Sequence, residues 1–204
     1  MKNNRLYIYT DGSWSPKTKE GGWAFLLSEE FETTTEKSIF FKDLGYAPKT
    51  TGNRMELSAV LNSIKYSVSK TEYKELVVYT DSQYVSDSIY YNRISEWRAN
   101  NWMRREWNSD EMIETANRDL WEELDALLTK LKREGYTIDI CWVKGHNKSF
   151  LNKVADRFAV LARALKKPNE QYDTTVENLK KLPVLESLYL TLMKKRLLIK
   201  KRSA

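Results

Sequence analysis

The chain has 204 residues, of which 34 are basic and 28 acidic, so its net charge is +6. Hydrophobic residues make up 41% of the sequence, which is enough to build the core of one domain with an appendage. Six of the basic residues lie in the run KKRLLIKKR at residues 194–202, and the rest of the chain balances at 28 basic against 28 acidic residues. The overall charge therefore comes from a short tail and does not by itself predict a nucleic-acid partner.

The sequence lacks the features of secreted and membrane proteins. It contains no apolar run of about 18 residues, and its N-terminus lacks an apolar stretch of signal-peptide length. A single cysteine, Cys141, excludes an internal disulfide and a cysteine zinc cluster. We therefore expect a cytoplasmic protein with no membrane partner, and nothing in the sequence indicates an oligomer, so a monomer is expected.

The first half of the chain has the pattern of three strands, a helix and a further strand. Alternating and continuous apolar runs predict strands at residues 6–11, 23–28 and 37–42, with turn residues between them. The loop that follows leads to a helix beginning near Asn53, with apolar residues at helical spacing. Residues 75–80 form a short apolar strand of the kind found inside a parallel sheet.

The second half is mostly helical. A polar, basic and tryptophan-rich stretch at residues 93–116 interrupts it. The remaining patterns predict, in order, a helix capped by Ser82, a helix at 119–133 ended by Gly135, a strand at 137–143 and a helix at 149–166.

The order of these elements predicts an α/β protein. Three antiparallel strands followed by strand–helix alternation imply a five-stranded mixed sheet, with two parallel strands after the antiparallel three and helices on its faces. Ligands of such sheets bind beyond the carboxyl ends of the strands. Asp11 and Asp81 each follow Tyr-Thr at the end of a predicted strand. We therefore expect both carboxylates in one crevice.

Two further acids stand on predicted helices: Glu56, in NRMEL, lies in the first turn of one, and Asp156, in NKVADRFA, lies on another. Converging carboxylates repel each other unless cations neutralise them, and Mg²⁺ prefers such oxygen ligands. Two ions about 3.5–4 Å apart can activate water against a phosphodiester. Taken singly, each acid has a simpler explanation: a turn residue, a helix cap, a favourable charge at a helix N-terminus or a surface ion pair.

The motifs YTDGS, NRMEL, YTDSQYV, VKGH and NKVADRFA occur in this order and together resemble the type 1 ribonuclease H family. The resemblance covers about residues 5–165. It implies a ribonuclease H-like fold in a catalytic domain at residues 1–167, and cleavage of the RNA of RNA–DNA hybrids to 3′-hydroxyl and 5′-phosphate ends. It also implies two bound Mg²⁺ ions, with Mn²⁺ as an alternative, and four metal-binding catalytic carboxylates: Asp11, Glu56, Asp81 and Asp156.

The resemblance also suggests residues outside the carboxylate set. His146, the only histidine, occupies the place of a mobile histidine that assists proton transfer or product release, although a single histidine is more often structural. Asn53 and Gln83 match positions that touch the substrate, and Thr51 matches one that holds a DNA phosphate. Gly52 departs from the family, in which relatives often have Asn there.

The stretch at residues 93–107 resembles the family's basic protrusion. We expect its arginines to contact phosphates and to make hybrid binding salt-sensitive. Trp97 is expected to face the DNA strand, whereas Trp102 and Trp107 are expected to brace a helical hairpin. The residues proposed to bind substrate here are Trp97, Arg98, Arg104 and Arg105.

Residues 168–204 extend beyond the resemblance, are expected to form a C-terminal helical extension, and end in the basic run. This extension contacts the hybrid, a partner or the body of the protein, or it is simply a solvated charged segment. Two other functions fit the same fold: a non-catalytic hybrid-binding module, and another nuclease or strand-transfer enzyme. The presence of all four acids argues against the first, and the KGH loop with the tryptophan-rich stretch argues against the second.

Overall fold

The structure is a computed structural model, and it describes residues 4–31, 39–145 and 149–166. The predicted role of His146, and all expectations for the extension at 168–204, lie outside the described residues. The helices and strands are, in chain order, β1 (Arg5–Trp14), β2 (Gly21–Ser28), β3 (Ile39–Ala47), α1 (Gly52–Lys70), β4 (Glu75–Thr80), α2 (Gln83–Tyr90), α3 (Arg93–Ala99), β5 (Met103–Arg105), β6 (Met112–Glu114), α4 (Arg118–Arg133), β7 (Thr137–Trp142) and α5 (Phe150–Leu165).

The main sheet has five strands in the order β3-β2-β1-β4-β7. The pairs β3–β2 and β2–β1 are antiparallel, whereas β1–β4 and β4–β7 are parallel. This arrangement confirms the predicted α/β fold with its three antiparallel and two parallel strands. A separate two-stranded sheet is formed by β5 and β6.

Two apolar layers cover the faces of the sheet. Neighbouring residues of β1 point to opposite faces, so Ile8 joins the cluster that includes Leu57 of α1 and Trp121 of α4, while Tyr9 joins the cluster with Phe158 of α5. All of these side chains are buried. Each fully buried leucine or isoleucine contributes about 1.5–3 kcal/mol to folding, so the sheet is held rigidly between the two layers.

The structure extends two of the predicted strands. β1 continues past Asp11 because its pairing with β2 runs on to Trp14 opposite Gly21, although its pairing with β4 ends at Thr10 opposite Thr80. β3 continues to Ala47 through residues that were predicted to be a loop, since the backbone ladder with β2 outweighs their turn preference. Gly45 allows this because a Cβ there would lie 2.4 Å from the Trp23 ring.

The expectation of a helical hairpin at residues 93–107 was wrong. This stretch forms the short helix α3 followed by a β-hairpin, in which Met103 pairs with Glu114 and Arg105 with Met112. Residues 106–111 connect the two strands. Among the described residues, no helix is long and apolar enough to cross a membrane.

Candidate active site

Three carboxylates meet where the parallel strands end. Asp11 lies in β1, one residue past the last pair with β4, and Asp81 directly follows β4. Glu56 comes from the N-terminal part of α1. Each of the three offers a carboxylate oxygen, and these oxygens all lie within 4.8 Å of one another. The structure thus brings together residues 70 positions apart in the chain, as the sequence predicted for the two aspartates.

Local structure explains how α1 reaches the sheet. Thr51 caps the helix, with its hydroxyl accepting a hydrogen bond from the backbone N–H of Arg54 at 3.3 Å. Gly12 follows Asp11, and a Cβ there would lie 2.5 Å from the backbone nitrogen of Glu56. Because glycine has no Cβ, α1 can approach β1 closely enough to place Glu56 beside Asp11.

Asp156 joins this group electrostatically. It lies half-buried on α5, on the other side of the sheet from α1, and its charge raises the pKa of both Asp11 and Glu56. Asp156 is not among the three acids whose carboxylate oxygens lie within 4.8 Å of one another. The arrangement is therefore a compact triad with a fourth acid nearby.

The acids strongly disfavour each other's ionisation. Burial, followed by the charges of Glu56, Asp81 and Asp156, raises the pKa of Asp11 to about 10. The pKa of Glu56 is raised well above its usual value, mainly by burial and next by the charge of Asp81. A backbone hydrogen bond from Gly12 opposes the shift for both acids without cancelling it. Without a counter-charge, the group therefore retains protons at neutral pH.

The donor set fits a divalent cation. Carboxylate oxygens are the ligands that hard cations such as Mg²⁺ prefer. Oε2 of Glu56 is also buried and accepts no hydrogen bond among the described residues. A buried carboxylate oxygen without a partner is uncommon in proteins, and a cation would satisfy it.

The other predicted residues are distributed around this centre. Thr51, Asn53 and Gln83 are exposed, the first two at the start of α1 and the third at the start of α2. Arg98 is exposed and pairs with Asp125 at 3.2 Å, and Arg105 pairs with Asp110 at 3.0 Å. Arg104 is half-buried in β5.

The tryptophans differ from expectation. Trp97 is only 8% exposed, and its ring centroid lies 5.4 Å from that of Trp121, so it packs in the core and does not present a ring to a DNA strand. Trp102 is also buried and braces this region, as expected, though next to a β-hairpin. Trp107 was expected to be a brace but is 86% exposed. Periodicity alone could not decide which indole faces inward, because the stretch is not a continuous helix.

Three residues around Asp81 were missed by the sequence analysis. The Trp142 indole donates to the backbone carbonyl of Asp81 at 3.2 Å. The Asn152 amide donates to Oδ2 of Asp81 at 3.5 Å. Gly145 lies so close that a Cβ would be 2.7 Å from the same oxygen. One signal was present in the sequence, since Asn152 precedes Asp156 by one helical turn in NKVAD.

The mixed sheet, with its acids beyond the parallel strand ends, defines a ribonuclease H-like fold. The sequence profile of the RNase H family matches residues 3–164. The chain belongs to the ribonuclease H family.

Individual relatives agree with this assignment. The chain is 36% identical over 168 residues to a ribonuclease H of Treponema denticola, covering 77% of this chain and 96% of the relative. It is 35% identical over 158 residues to a ribonuclease H of Francisella tularensis subsp. novicida, covering 78% of this chain and 90% of the relative. The solved structure of LC9-RNase H1, a type 1 RNase H with the type 2 active-site motif, aligns with a TM-score of 0.62 at 21% identity, covering 90% of this chain and 83% of that one.

Proposed function

We propose that this protein is a metal-dependent endonuclease that hydrolyses the RNA strand of RNA–DNA hybrids and leaves 3′-hydroxyl and 5′-phosphate ends. The observation that carries the proposal is the Asp11–Glu56–Asp81 triad, whose oxygens lie within 4.8 Å of one another in a chain of the ribonuclease H family. A binding module that did not catalyse would have no need for buried acids that repel each other, since such a cluster costs folding free energy.

In this proposal Asp11, Glu56, Asp81 and Asp156 hold two Mg²⁺ ions, and Mn²⁺ also suits these ligands. When bound, such ions activate a water molecule and stabilise the leaving oxygen of the phosphodiester. Asp11 is central because it is nearly fully buried and the charges of Glu56, Asp81 and Asp156 all act on it. His146 would move a proton or assist product release, so a His146→Ala enzyme should turn over slowly without being inactive.

The proposed substrate contacts lie on exposed or half-buried residues of α1, α2, α3 and β5. Thr51 and Asn53 stand at the start of α1, the helix that carries Glu56, and Gln83 stands at the start of α2, which follows Asp81. Arg98, Arg104 and Arg105 supply positive charge for phosphates on α3 and β5. Trp97 is left out of this set because it is buried.

A cleavage assay tests the proposal. Labelled RNA–DNA hybrid, duplex RNA and duplex DNA are incubated with the protein in Mg²⁺, in Mn²⁺ and in EDTA. We expect cleavage of the RNA of the hybrid alone, and only with metal. Asp11→Asn should lower the rate by more than about 100-fold, because even outer-shell partners of a metal ligand contribute about 10- to 100-fold.

Asp139→Asn is the matched control, since Asp139 is an exposed acid on β7 and undergoes the same chemical change. It should retain full activity. Cleavage of the hybrid in EDTA, or an intact hybrid after long incubation with either metal, would contradict the proposal.

A further inference from the structure

Asp81 is contacted by a buried amide that none of the proposed catalytic roles uses. Asn152 lies in the first turn of α5 and is 4% exposed. Its Nδ2 donates a hydrogen bond to Oδ2 of Asp81 at 3.5 Å. This distance is at the long end for a hydrogen bond, and such bonds in metal-free or substrate-free sites often tighten when the site is loaded.

The other end of the amide points to a role in the site. Oδ1 of Asn152 is buried and has no hydrogen-bond partner among the described residues. Oε2 of Glu56, one of the triad acids, is likewise buried and has no hydrogen-bond partner among the described residues. Unsatisfied buried acceptors are rare, and two at one site indicate that it is built to hold a further charged or donor group.

Asp81 needs such support because of its position in the chain. It lies just beyond the last residue of β4, so the sheet ladder does not hold it directly. Trp142 holds its backbone carbonyl, and the bare Cα of Gly145 lies against its carboxylate. Asn152 supplies the hydrogen bond that orients the side chain itself.

The position of Asn152 on α5 also links two acids. Residues four apart on a helix share one face, so Asn152 and Asp156 are presented to the same side of α5. The side chain of Ser149 caps this helix by accepting from the backbone N–H of Asn152 at 3.4 Å, which fixes where the first turn begins. The cap therefore sets the placement of both side chains.

We propose that Asn152 is a positioning residue that holds the Asp81 carboxylate in the orientation in which it shares a divalent cation with Asp11 and Glu56. The inference rests on the proposed metal-dependent function. A neutral amide suits this task because it donates a hydrogen bond to the carboxylate without adding another negative charge to the cluster. A lysine would instead neutralise the acid and compete with the cation.

The test compares two Asn→Leu substitutions that are nearly isosteric and remove an amide. Asn152→Leu removes the bond to Asp81. Asn62→Leu is the control, because the Asn62 amide donates to the carbonyl of Ser58 at 2.8 Å within α1 and not to one of the acids. Binding of Mn²⁺ and Mg²⁺ to each purified, folded protein is measured by calorimetry, and thermal stability is measured in parallel.

We expect Asn152→Leu to weaken metal binding by about 10-fold relative to Asn62→Leu, the lower end of the range for outer-shell partners. The metal concentration for half-maximal cleavage should rise by the same factor, while KM for the hybrid at saturating metal stays unchanged. A purely structural role would lower the melting temperature without changing metal affinity, and that result would overturn the proposal.

If Asn152→Leu does not fold, Asn152→Ala is measured in the same way, and metal affinity equal to that of the control again overturns the inference. The direct metal titration also separates this inference from the proposed function. A wild-type protein that binds metal but leaves hybrids intact would refute the endonuclease proposal, and the comparison of metal affinities would still decide the role of Asn152.

Discussion

Asp11 is the residue whose ionisation the site disfavours most clearly. It is 5% exposed, and three other acids act on it. Its pKa is raised to about 10, so the metal-free protein keeps a proton on Asp11 that the unfolded chain releases above its ordinary pKa of 3.8. The same repulsion that disfavours the ionised triad makes it a strong ligand set once a cation is present.

The raised pKa predicts how stability depends on pH. Between about pH 4 and pH 10 the native state binds more protons than the unfolded state, so the free energy of unfolding of the metal-free protein should fall as pH rises, by at most about 1.4 kcal/mol per pH unit for each proton. Urea unfolding in EDTA at a series of pH values measures this free energy of unfolding. Asp11→Asn should flatten the slope and stabilise the protein at pH 8, and Mg²⁺ should stabilise only the wild type. A wild-type slope that rises with pH would contradict this.

At the scale of secondary structure, the site depends on how closely α1 approaches β1. The helix is capped by Thr51 and carries Glu56, and the contact with the sheet is made across Gly12. The packing at that point leaves no space for even a methyl group, since a Cβ would lie 2.5 Å from the nitrogen of Glu56 and 2.8 Å from the carbonyl carbon of Met55.

Gly12→Ala should therefore displace α1 and separate Glu56 from Asp11. We expect stability to fall by about 1–3 kcal/mol, the usual cost of overpacking, and metal affinity and cleavage to fall with it. Gly52→Ala is the matched control, because its nearest atom would be 3.8 Å away and alanine favours a helix. Thermal unfolding and hybrid cleavage measure both, and equal effects of the two substitutions would disprove the steric argument.

The β5–β6 hairpin presents an exposed indole next to basic residues. Trp107 is 86% exposed and follows Arg104 and Arg105, whereas Trp102 at the base of the hairpin is 8% exposed. The hairpin therefore places one tryptophan in solvent and the other in the core.

Substituting each tryptophan by alanine should have opposite consequences. Trp107→Ala should leave stability unchanged and weaken hybrid binding about fivefold, equivalent to about 1 kcal/mol of contact energy. Trp102→Ala should cost about 3–5 kcal/mol of stability, because it opens a cavity in the core. Denaturant unfolding and a fluorescence binding titration distinguish them. Unchanged binding by Trp107→Ala would show that the hairpin tip does not contact the substrate.

At the scale of the whole molecule, the net positive charge comes from the end of the chain. Outside residues 194–202 the chain contains as many acids as bases, and two of the arginines proposed to bind phosphate, Arg98 and Arg105, already pair with acids. The run KKRLLIKKR at residues 194–202 carries six unbalanced basic residues. We therefore propose that the segment at 168–204 adds to hybrid binding.

Deleting residues 183–204 should weaken hybrid binding and flatten its dependence on salt. Each lost phosphate contact should reduce the slope of log K against log salt by about 0.9. Binding titrations between 50 and 200 mM salt measure the slope, and replacement of the six basic residues by glutamine tests charge separately from length. An unchanged slope in both proteins would exclude contact between this segment and phosphate.

The sequence predicted some features of the site reliably, for local reasons. Asp11 and Asp81 end parallel pairing, so their convergence followed from strand order alone. The Ser82 cap of α2 is formed with neighbouring backbone groups as predicted, and Gly135, at a φ of +81°, ended α4 as predicted.

Features that depend on distant packing were not predictable. Trp97 and Trp107 have similar neighbours in sequence, yet one is buried against Trp121 and the other is in solvent. The turn residues at 43–47 indicated a loop, whereas in the structure this segment continues β3 because its backbone pairs with β2.

Taken alone, the amino-acid sequence determined the order of the five main strands, the family and the acids proposed for the site, because periodicity and short motifs are local properties of a chain. Only the tertiary structure decided that Gly12 brings Glu56 to Asp11 and that Asn152 and Trp142 hold Asp81. Those contacts join residues 44 to 71 positions apart, and such contacts depend on the packing of the sheet between its helices, which no local pattern encodes.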